Sequence, residues 1–253
     1  VVKYATDVTV EMLKNADYSG QIDAVGKSYG VISFNLDGTI IEANENFQSV
    51  VDYSNQEIAG QHHRMFCDPA YVESDAYAEF WKKLGRGEFH SAEFKRLTKG
   101  GTEILLQASF NPVLDKDGKP VRVVKFATDV TASKLQIAEY EGKIRAIERA
   151  QAVIEFELDG TVITANENFL RIFGYTLDEV VGKHHRIFCD AGYAESLEYA
   201  RFWQKLGRGE YDADEFKRIT KDGAEVWLQA SYNPIFDMEG RPLKVVKFAS
   251  DIT

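Results

Sequence analysis

The sequence has little cysteine, little proline and no long apolar run. Of its 253 residues, only two are cysteine and five are proline. Two cysteines at equivalent places of a repeat cannot form the disulfide framework typical of small secreted domains, and spare thiols suit a reducing compartment. No apolar run approaches the roughly 18 to 20 residues of a membrane-spanning helix, and no signal peptide opens the chain. We therefore expect a cytoplasmic segment without membrane contact.

Positive charge is also in short supply. The 30 Lys and Arg residues are outnumbered by 40 Asp and Glu residues, which gives a formal net charge of -10. An acidic surface repels the phosphates of nucleic acids and the headgroups of anionic lipids. The charge balance therefore argues against nucleic acid as a partner.

What the chain does contain is an internal repeat. Asp37-Gly38-Thr39 recurs as Asp159-Gly160-Thr161, an offset of 159 − 37 = 122 residues. At this offset, residues 25–131 align with residues 147–253 without a gap, and more than half of the aligned positions are identical. The sequence therefore predicts two tandem copies of one domain.

The repeat also sets the predicted domain boundaries. Residues 1–9 match residues 123–131 at the same offset, so we expect them to be the last strand of a preceding copy in a longer array. The remaining predicted segments are helical linkers at residues 10–26 and 132–148, and the two repeated domains at residues 27–131 and 149–253.

Each copy combines strands with short helices. Tyr29–Phe34 is rich in β-forming residues and is followed by a turn at Asp37-Gly38 and a second strand. Asn44 suits a helix N-cap, and Glu73–Leu84 has aromatic residues at helical spacing. Three further strands follow, separated by glycine turns. The pattern predicts an α+β domain, with short helices on one face of a five-stranded antiparallel sheet.

The second linker carries a short apolar seam. Ile137, Tyr140, Ile144 and Ile147 are spaced by three, four and three residues, which is a heptad pattern. One interpretation is a homodimer through the linker helices and the domain surfaces. The other is that these residues pack on their own domain.

Several motifs together resemble a known family. They are Asn-Glu-Asn-Phe entering the first helix, a Phe-Trp-x-Lys-Leu-Gly helix end, a Lys-x-Gly hairpin and a closing Asp-x-Thr. In this order they resemble PAS sensor domains, and more narrowly those of bacterial aerotaxis receptors and of methyl-accepting chemotaxis proteins of the biofilm-dispersion regulator type. The Asp-x-Thr closes both copies, and we expect Thr131 to cap the helix that follows it.

The resemblance implies a sensory module without catalytic activity. Such a module senses a small molecule, oxygen or redox state and relays the change through linker helices to an output domain, which this segment is expected to lack. The alternative is a ligand-free scaffold for dimerisation and interaction that relays a signal sensed elsewhere.

The candidate ligand-binding residues centre on one stretch that occurs twice, as Gly60–Asp68 and Gly182–Asp190. These two stretches hold four of the five histidines and both cysteines. A tryptophan of the following helix joins each copy. The candidate cofactor-binding residues are His62, His63, Arg64, Trp81, His184, His185, Arg186 and Trp203.

Four interpretations of these residues stay open. A b-type haem would use His63 or His185 as axial ligand, with the preceding histidines as alternates. A flavin would lie against the tryptophans, with the arginines meeting its phosphate. In blue-light PAS domains, a reactive cysteine precedes the corresponding arginine; here a histidine stands in its place, which excludes a flavin photoadduct. Zinc would use a His-x-x-x-Cys pair. In the fourth, one histidine of each pair is a hydrogen-bonded packing residue and Cys67 and Cys189 are small core residues, so the cleft is empty or holds an unidentified small metabolite.

Overall fold

The computed structural model describes residues 20, 21 and 23–253. These residues form two compact units, which meet in the chain between Ile137 and Ala138. We call them unit 1 and unit 2. The predictions for residues 1–9, and for most of the first linker, lie outside the described residues; residues 23–28 are helical.

Each unit contains one five-stranded antiparallel sheet. Unit 1 contributes β1 (Gly30–Phe34), β2 (Ile40–Ala43), β3 (His90–Leu97), β4 (Glu103–Leu114) and β5 (Pro120–Asp129), in the order β2-β1-β5-β4-β3. Unit 2 contributes β6 (Ala152–Phe156), β7 (Val162–Ala165), β8 (Asp212–Ile219), β9 (Glu225–Phe236) and β10 (Pro242–Asp251), in the order β7-β6-β10-β9-β8. The predicted fold class is confirmed.

Short helices connect the second and third strands of each unit. In unit 1 they are Glu45–Val51, Asn55–Ile58, the 3-10 helix His63–Phe66, Pro69–Val72 and Asp75–Gly85. In unit 2 they are Glu167–Phe173, Leu177–Val180, the 3-10 helix His185–Phe188, Ala191–Ala194 and Leu197–Gly207. The linker helix is Thr131–Ala150. No helix in the described part of the chain is both long and apolar enough to cross a membrane.

Side-chain caps fix where these helices begin. The Asn44 side chain accepts a hydrogen bond from the backbone N–H of Phe47, which confirms the predicted N-cap. The helix predicted from residue 73 begins at Asp75 instead, because the hydroxyl of Ser74 accepts the N–H of Tyr77. We call the helix Asp75–Gly85, which carries Trp81, the tryptophan helix.

The core of unit 1 lies between the sheet and these helices. Alternate residues of a strand point to the same face, and on the inner face Ile32, Phe34 and Phe110 are fully buried. The tryptophan helix places Phe80 and Leu84 against them. Burial of each such side chain contributes about 1.5 to 3 kcal/mol. The helices are therefore held on one face of the sheet by an aromatic core.

The Asp-x-Thr motif ties the last strand to its neighbour. The Asp129 carboxylate accepts the backbone N–H of Thr131 at 2.8 Å, and the Thr131 hydroxyl oxygen accepts the N–H of Leu105 on β4 at 2.8 Å. The predicted N-cap role of Thr131 is wrong, because Thr131 is itself the first helical residue and its hydroxyl serves β4. In unit 2, Thr253 accepts the N–H of Trp227 in the same way at 3.0 Å.

The turn glycine Gly38 brings the β1–β2 hairpin against the His-His stretch. Its φ is +87°, and a Cβ there would lie 2.8 Å from His62 Nε2 and 3.0 Å from the Trp81 ring. Gly118, in the turn between β4 and β5, has a φ of +78° and nothing within 4 Å of its Cβ position. Both turns need a glycine with positive φ, but only at Gly38 do other side chains lie close to the Cβ position.

This pair gives a matched test of that contact. We expect Gly38→Ala to lower the free energy of unfolding by about 1 to 3 kcal/mol more than Gly118→Ala, because both substitutions strain a left-handed turn and only the first also overpacks. Urea denaturation of the two variants measures the difference. Equal losses would contradict the close packing of the hairpin on His62.

Candidate functional site

The first histidine of each pair is an anchor for the hairpin turn. His62 Nε2 lies 2.7 Å from the carbonyl oxygen of Asp37 and donates to it, since a carbonyl can only accept. Its Nδ1 accepts the backbone N–H of Arg64 at 3.1 Å. His62 is therefore held as the Nε2–H tautomer, with both ring nitrogens engaged.

The second histidine is enclosed by aromatic rings. His63 is fully buried, and its ring stacks on Tyr77 at an interplanar angle of 12°. The centroids of Phe34 and Phe110 lie 5.4 Å and 5.6 Å from it, both edge to face. Its Nδ1 is 3.1 Å from the Tyr77 hydroxyl, but its Nε2 has no partner among the described residues. Such an unpartnered buried group costs about 1 to 3 kcal/mol.

Burial also keeps His63 neutral. Loss of hydration lowers the pKa of His63 well below its usual value, and the positive charges of Arg96 and Lys125 act in the same direction. Burial likewise raises the pKa of Tyr77 to about 12. A neutral imidazole bonded to a neutral phenol can exchange hydrogen bonds with a ligand without taking up charge.

Two cations lie beside this histidine without a carboxylate. Lys125 and Arg96 have only 1% and 3% of their surface exposed, and neither forms an ion pair with a described residue. Lys125 Nζ lies 5.1 Å from the centroid of the Phe110 ring. Arg96 donates through Nη1 to the carbonyl of Lys95 at 2.6 Å, while its Nε and Nη2 have no described partner. A buried cation without a counter-charge is unfavourable.

Burial lowers the pKa of Lys125 well below its usual value, and the nearby Arg96 charge adds to this effect. A buried lysine without an anionic partner avoids the cost of a buried charge by losing its proton. The Arg96 guanidinium cannot do so in practice, because arginine stays protonated in proteins. The persistent positive charge of the cluster therefore belongs to Arg96.

Unit 2 repeats this cluster with one added hydroxyl. Position 110 + 122 = 232 is tyrosine instead of phenylalanine. His185 Nε2 lies 2.9 Å from the Tyr232 hydroxyl, and Nδ1 lies 2.9 Å from the Tyr199 hydroxyl. Arg218 Nη2 donates to Tyr232 at 3.1 Å. In unit 2, both nitrogens of the buried histidine therefore have partners.

The structure brings together most of the residues predicted from the sequence. The Trp81 ring lies 5.5 Å from His63, and the Trp203 ring lies 5.4 Å from His185. Each tryptophan also packs edge to face on the first histidine of its pair, His62 or His184. The predicted tryptophans thus line the same clusters as the predicted histidines.

The predicted arginines lie elsewhere. Arg64 and Arg186 are exposed, and the arginines beside the buried histidines are Arg96 and Arg218. Position within the strand indicates these missed residues, because Arg96 follows Phe94 by two and therefore shares its inward face.

Cys67, which forms the His-x-x-x-Cys pair with His63, is buried against that histidine. Cys67 Sγ lies 3.7 Å from His63 Nδ1, and burial raises the pKa of its thiol. A buried thiol of raised pKa is a poor nucleophile and a poor metal ligand. In the range the structure describes, no three His, Cys, Asp or Glu side chains are grouped as metal ligands.

Comparison with known proteins identifies the fold. The PAS fold family matches residues 40–127 and 162–249. The chain belongs to the PAS family. Each unit is therefore one PAS domain, which confirms the resemblance found in the sequence.

Three curated proteins are similar to the chain over part of their length. The chain is 45% identical to the biofilm dispersion protein BdlA of Pseudomonas aeruginosa over 91% of its own length and 55% of that protein. It is 24% identical to the oxygen sensor protein DosP of Escherichia coli over 88% of its length and 28% of that protein. It is 30% identical to the aerotaxis receptor of the same species over 41% of its length and 20% of that protein. The chain thus spans about half the length of the biofilm dispersion protein and less than a third of the other two.

The buried imidazoles predict an acid-sensitive stability. The pKa values of His63 and His185 are both lowered by burial, so below the ordinary histidine pKa of about 6.5 the unfolded chain binds protons that the folded chain does not. The free energy of unfolding should therefore fall as pH falls from about 6.5 to 5, by up to about 1.4 kcal/mol per pH unit for each histidine.

Urea denaturation across that range measures the slope, and imidazole nitrogen NMR of the folded chain reports the protonation states. We expect both rings to stay neutral at pH 6. A His63 or His185 resonance that titrates near 6.5 would contradict their burial as neutral groups.

Proposed function

We propose that this chain is the cytoplasmic sensory part of a chemotaxis-type signalling protein, in which a small molecule binds in a PAS core and alters the linker helix. The observation that carries the proposal is the buried, neutral imidazole of His63 with its unpartnered Nε2. It lies beside a buried arginine that also lacks a carboxylate. A core of this kind is incomplete without a further hydrogen-bond partner.

The two cofactors expected from the sequence make different demands on these residues. Haem needs an imidazole nitrogen free for iron, which His63 has and His185 lacks. The cationic Arg96 guanidinium beside His63 disfavours a metal ion there. Flavin needs a cation for its phosphate, and Arg64 is exposed instead of lining the cluster. The described arrangement therefore suits a small organic ligand better than either cofactor.

A physical route leads from the cluster to the linker helix. Phe110, whose ring packs on His63, belongs to β4. Leu105 on the same strand donates its backbone N–H to the hydroxyl of Thr131, where the linker helix begins. A shift of β4 on ligand binding would therefore reach the first turn of that helix.

Sensing predicts a bound molecule in the purified chain. We expect denaturation of the full chain, followed by mass spectrometry of the released fraction, to yield a small molecule in stoichiometric amount. An absorption spectrum identifies haem by a Soret band or flavin by its double peak. A featureless spectrum together with an empty released fraction would contradict the sensor proposal.

The relay predicts a specific effect at the motif that links sheet and helix. Thr131→Val removes the acceptor for the Leu105 N–H, so we expect faster amide exchange at Leu105 and in the first turn of the linker helix. Ser133→Ala is the matched control, because that hydroxyl bonds only to the carbonyl of Val130 among the described residues. Equal exchange in the two variants would contradict the relay.

A second function, dimerisation, is supported by the surface of the linker helix. Its Ile137, Ile144 and Ile147 side chains are 51%, 56% and 41% exposed, and no residue of the helix is buried. Large exposed apolar side chains on one helical stripe suit pairing with the same stripe of a second copy. We propose that the chain forms a homodimer through this helix.

The dimer proposal gives a direct test. We expect Ile144→Asp to raise the dissociation constant of the dimer at least tenfold in sedimentation measurements, because it places a charge within the apolar stripe. Gly142→Asp adds the same charge on the opposite side of the helix and should leave the dimer nearly unchanged. A monomeric parent chain at micromolar concentration would exclude this interface.

A further inference from the structure

In unit 2, a continuous chain of hydrogen bonds runs through the core. Arginine only donates, so Arg218 Nη2 gives its hydrogen to Tyr232 Oη at 3.1 Å. Tyr232 lies 2.9 Å from His185 Nε2, and His185 Nδ1 lies 2.9 Å from Tyr199 Oη. Tyr199 Oη is in turn 3.3 Å from His184 Nδ1. These hydrogen bonds join β8, β9, the His-His stretch and the helix Leu197–Gly207, which carries Tyr199.

In unit 1, the same series of hydrogen bonds lacks one oxygen atom. Arg96, His63 and Tyr77 are present, but Phe110 occupies the place of Tyr232. The nitrogens without partners among the described residues include His63 Nε2 and Arg96 Nη2, the counterparts of the two that meet Tyr232 Oη in unit 2. One missing oxygen therefore accounts for both.

The geometry around this gap is otherwise unchanged. The centroids of His63 and Phe110 are 5.6 Å apart at an interplanar angle of 82°. Those of His185 and Tyr232 are 5.6 Å apart at 81°. The guanidinium carbons of Arg96 and Arg218 also lie equally far, 4.9 Å, from the centroids of the Phe94 and Phe216 rings. By this correspondence, the two unpartnered nitrogens face a common point just beyond the ring edge of Phe110.

We propose that unit 1 alone is the ligand-binding domain, and that it takes a small molecule with a carboxylate or comparable oxyanion, one oxygen of which lies between His63 Nε2 and Arg96 Nη2. In unit 2, the hydroxyl of Tyr232 fills that position. This inference rests on the proposed sensory function and names the domain and the ligand chemistry.

Charge selects an oxyanion over other occupants of the gap. Arg96 presents only donors and keeps its positive charge, and Lys125 is a second buried amine without a described carboxylate partner. A metal ion at the common point would meet this guanidinium at close range and be repelled. A water molecule would accept both hydrogen bonds, as the neutral Tyr232 hydroxyl does in unit 2. An oxyanion would accept them more strongly and would also compensate the charge of Arg96.

The ligand would complete a connection that unit 2 always has. Its oxygen would link Arg96 on β3 to His63, and through Tyr77 to the tryptophan helix. Unit 2 then represents the closed arrangement, with its tyrosine in place of a ligand. Unit 1 would gain the hydrogen-bonded connection between its arginine and histidine only when a ligand binds, which suits a sensor. Unit 2 has this connection without a ligand, which suits a structural role.

Reciprocal exchange of one hydroxyl tests this assignment in the full chain. The probes are sodium formate and sodium acetate, with sodium chloride at equal ionic strength as control, and the readout is the imidazole Nε2 resonance of His63 and His185. In the parent chain we expect both carboxylates to shift the His63 resonance in a saturable manner and to leave His185 unaffected.

Phe110→Tyr should weaken carboxylate binding at His63 at least tenfold, because the new hydroxyl fills the gap. Tyr232→Phe should make His185 respond as His63 does in the parent chain. This second variant removes one atom from unit 2, so it keeps the test decisive if Phe110→Tyr disturbs folding. A His63 resonance that ignores both carboxylates, as an ordered water alone would give, overturns the inference, as does unchanged binding in Phe110→Tyr.

The small molecule released by denaturation separates this inference from the proposed function. Equal release from the parent chain and from Phe110→Tyr overturns the location in unit 1 and leaves sensing intact. Carboxylate binding at His63 that does not change amide exchange in the linker helix supports the site and overturns the sensory relay.

Discussion

The central constraint on this structure is positive charge buried without a carboxylate. Arg96 carries this charge inside an aromatic core, beside a Lys125 amine whose pKa burial lowers well below its usual value, although the chain has an excess of acidic residues. Such an arrangement raises the energy of the folded state unless donors find acceptors and charge finds a counter-charge. Burial lowers the pKa of His63, and the charge of Arg96 acts in the same direction, so the ring stays neutral.

The duplication shows that one atom separates a core whose buried histidine is fully hydrogen-bonded from one whose histidine has an unpartnered nitrogen. The two domains share their strand order, their histidine pairs and their buried cations. A single hydroxyl, on Tyr232 but not on Phe110, decides whether the buried histidine and arginine are joined. Tandem copies of one PAS domain can therefore divide their roles through one core substitution while each keeps its packing.

Much of the fold was predictable from the sequence. The repeat fixed the number of domains, and turn glycines together with N-capping side chains indicated the order of strands and helices. The N-cap at Asn44 follows from local chemistry alone. Thr131 was misassigned because its hydroxyl bonds across the sheet to Leu105, a contact that local sequence does not reveal.

The candidate site was predictable only in part. The histidines and tryptophans stood out by residue type and repetition, but Arg96 and Lys125 looked like surface charges. Only strand alternation places them inward, next to Phe94 and Val123. The difference between Phe110 and Tyr232 is visible in the aligned copies, yet its meaning depends on the distances to His185 and Arg218.

Native mass spectrometry of the full chain, with its two PAS domains intact, tests whether a ligand occupies unit 1 alone. We expect a mass excess of one small oxyanion per chain, since only unit 1 has a buried histidine nitrogen without a partner among the described residues. No bound molecule, or two per chain, would contradict it.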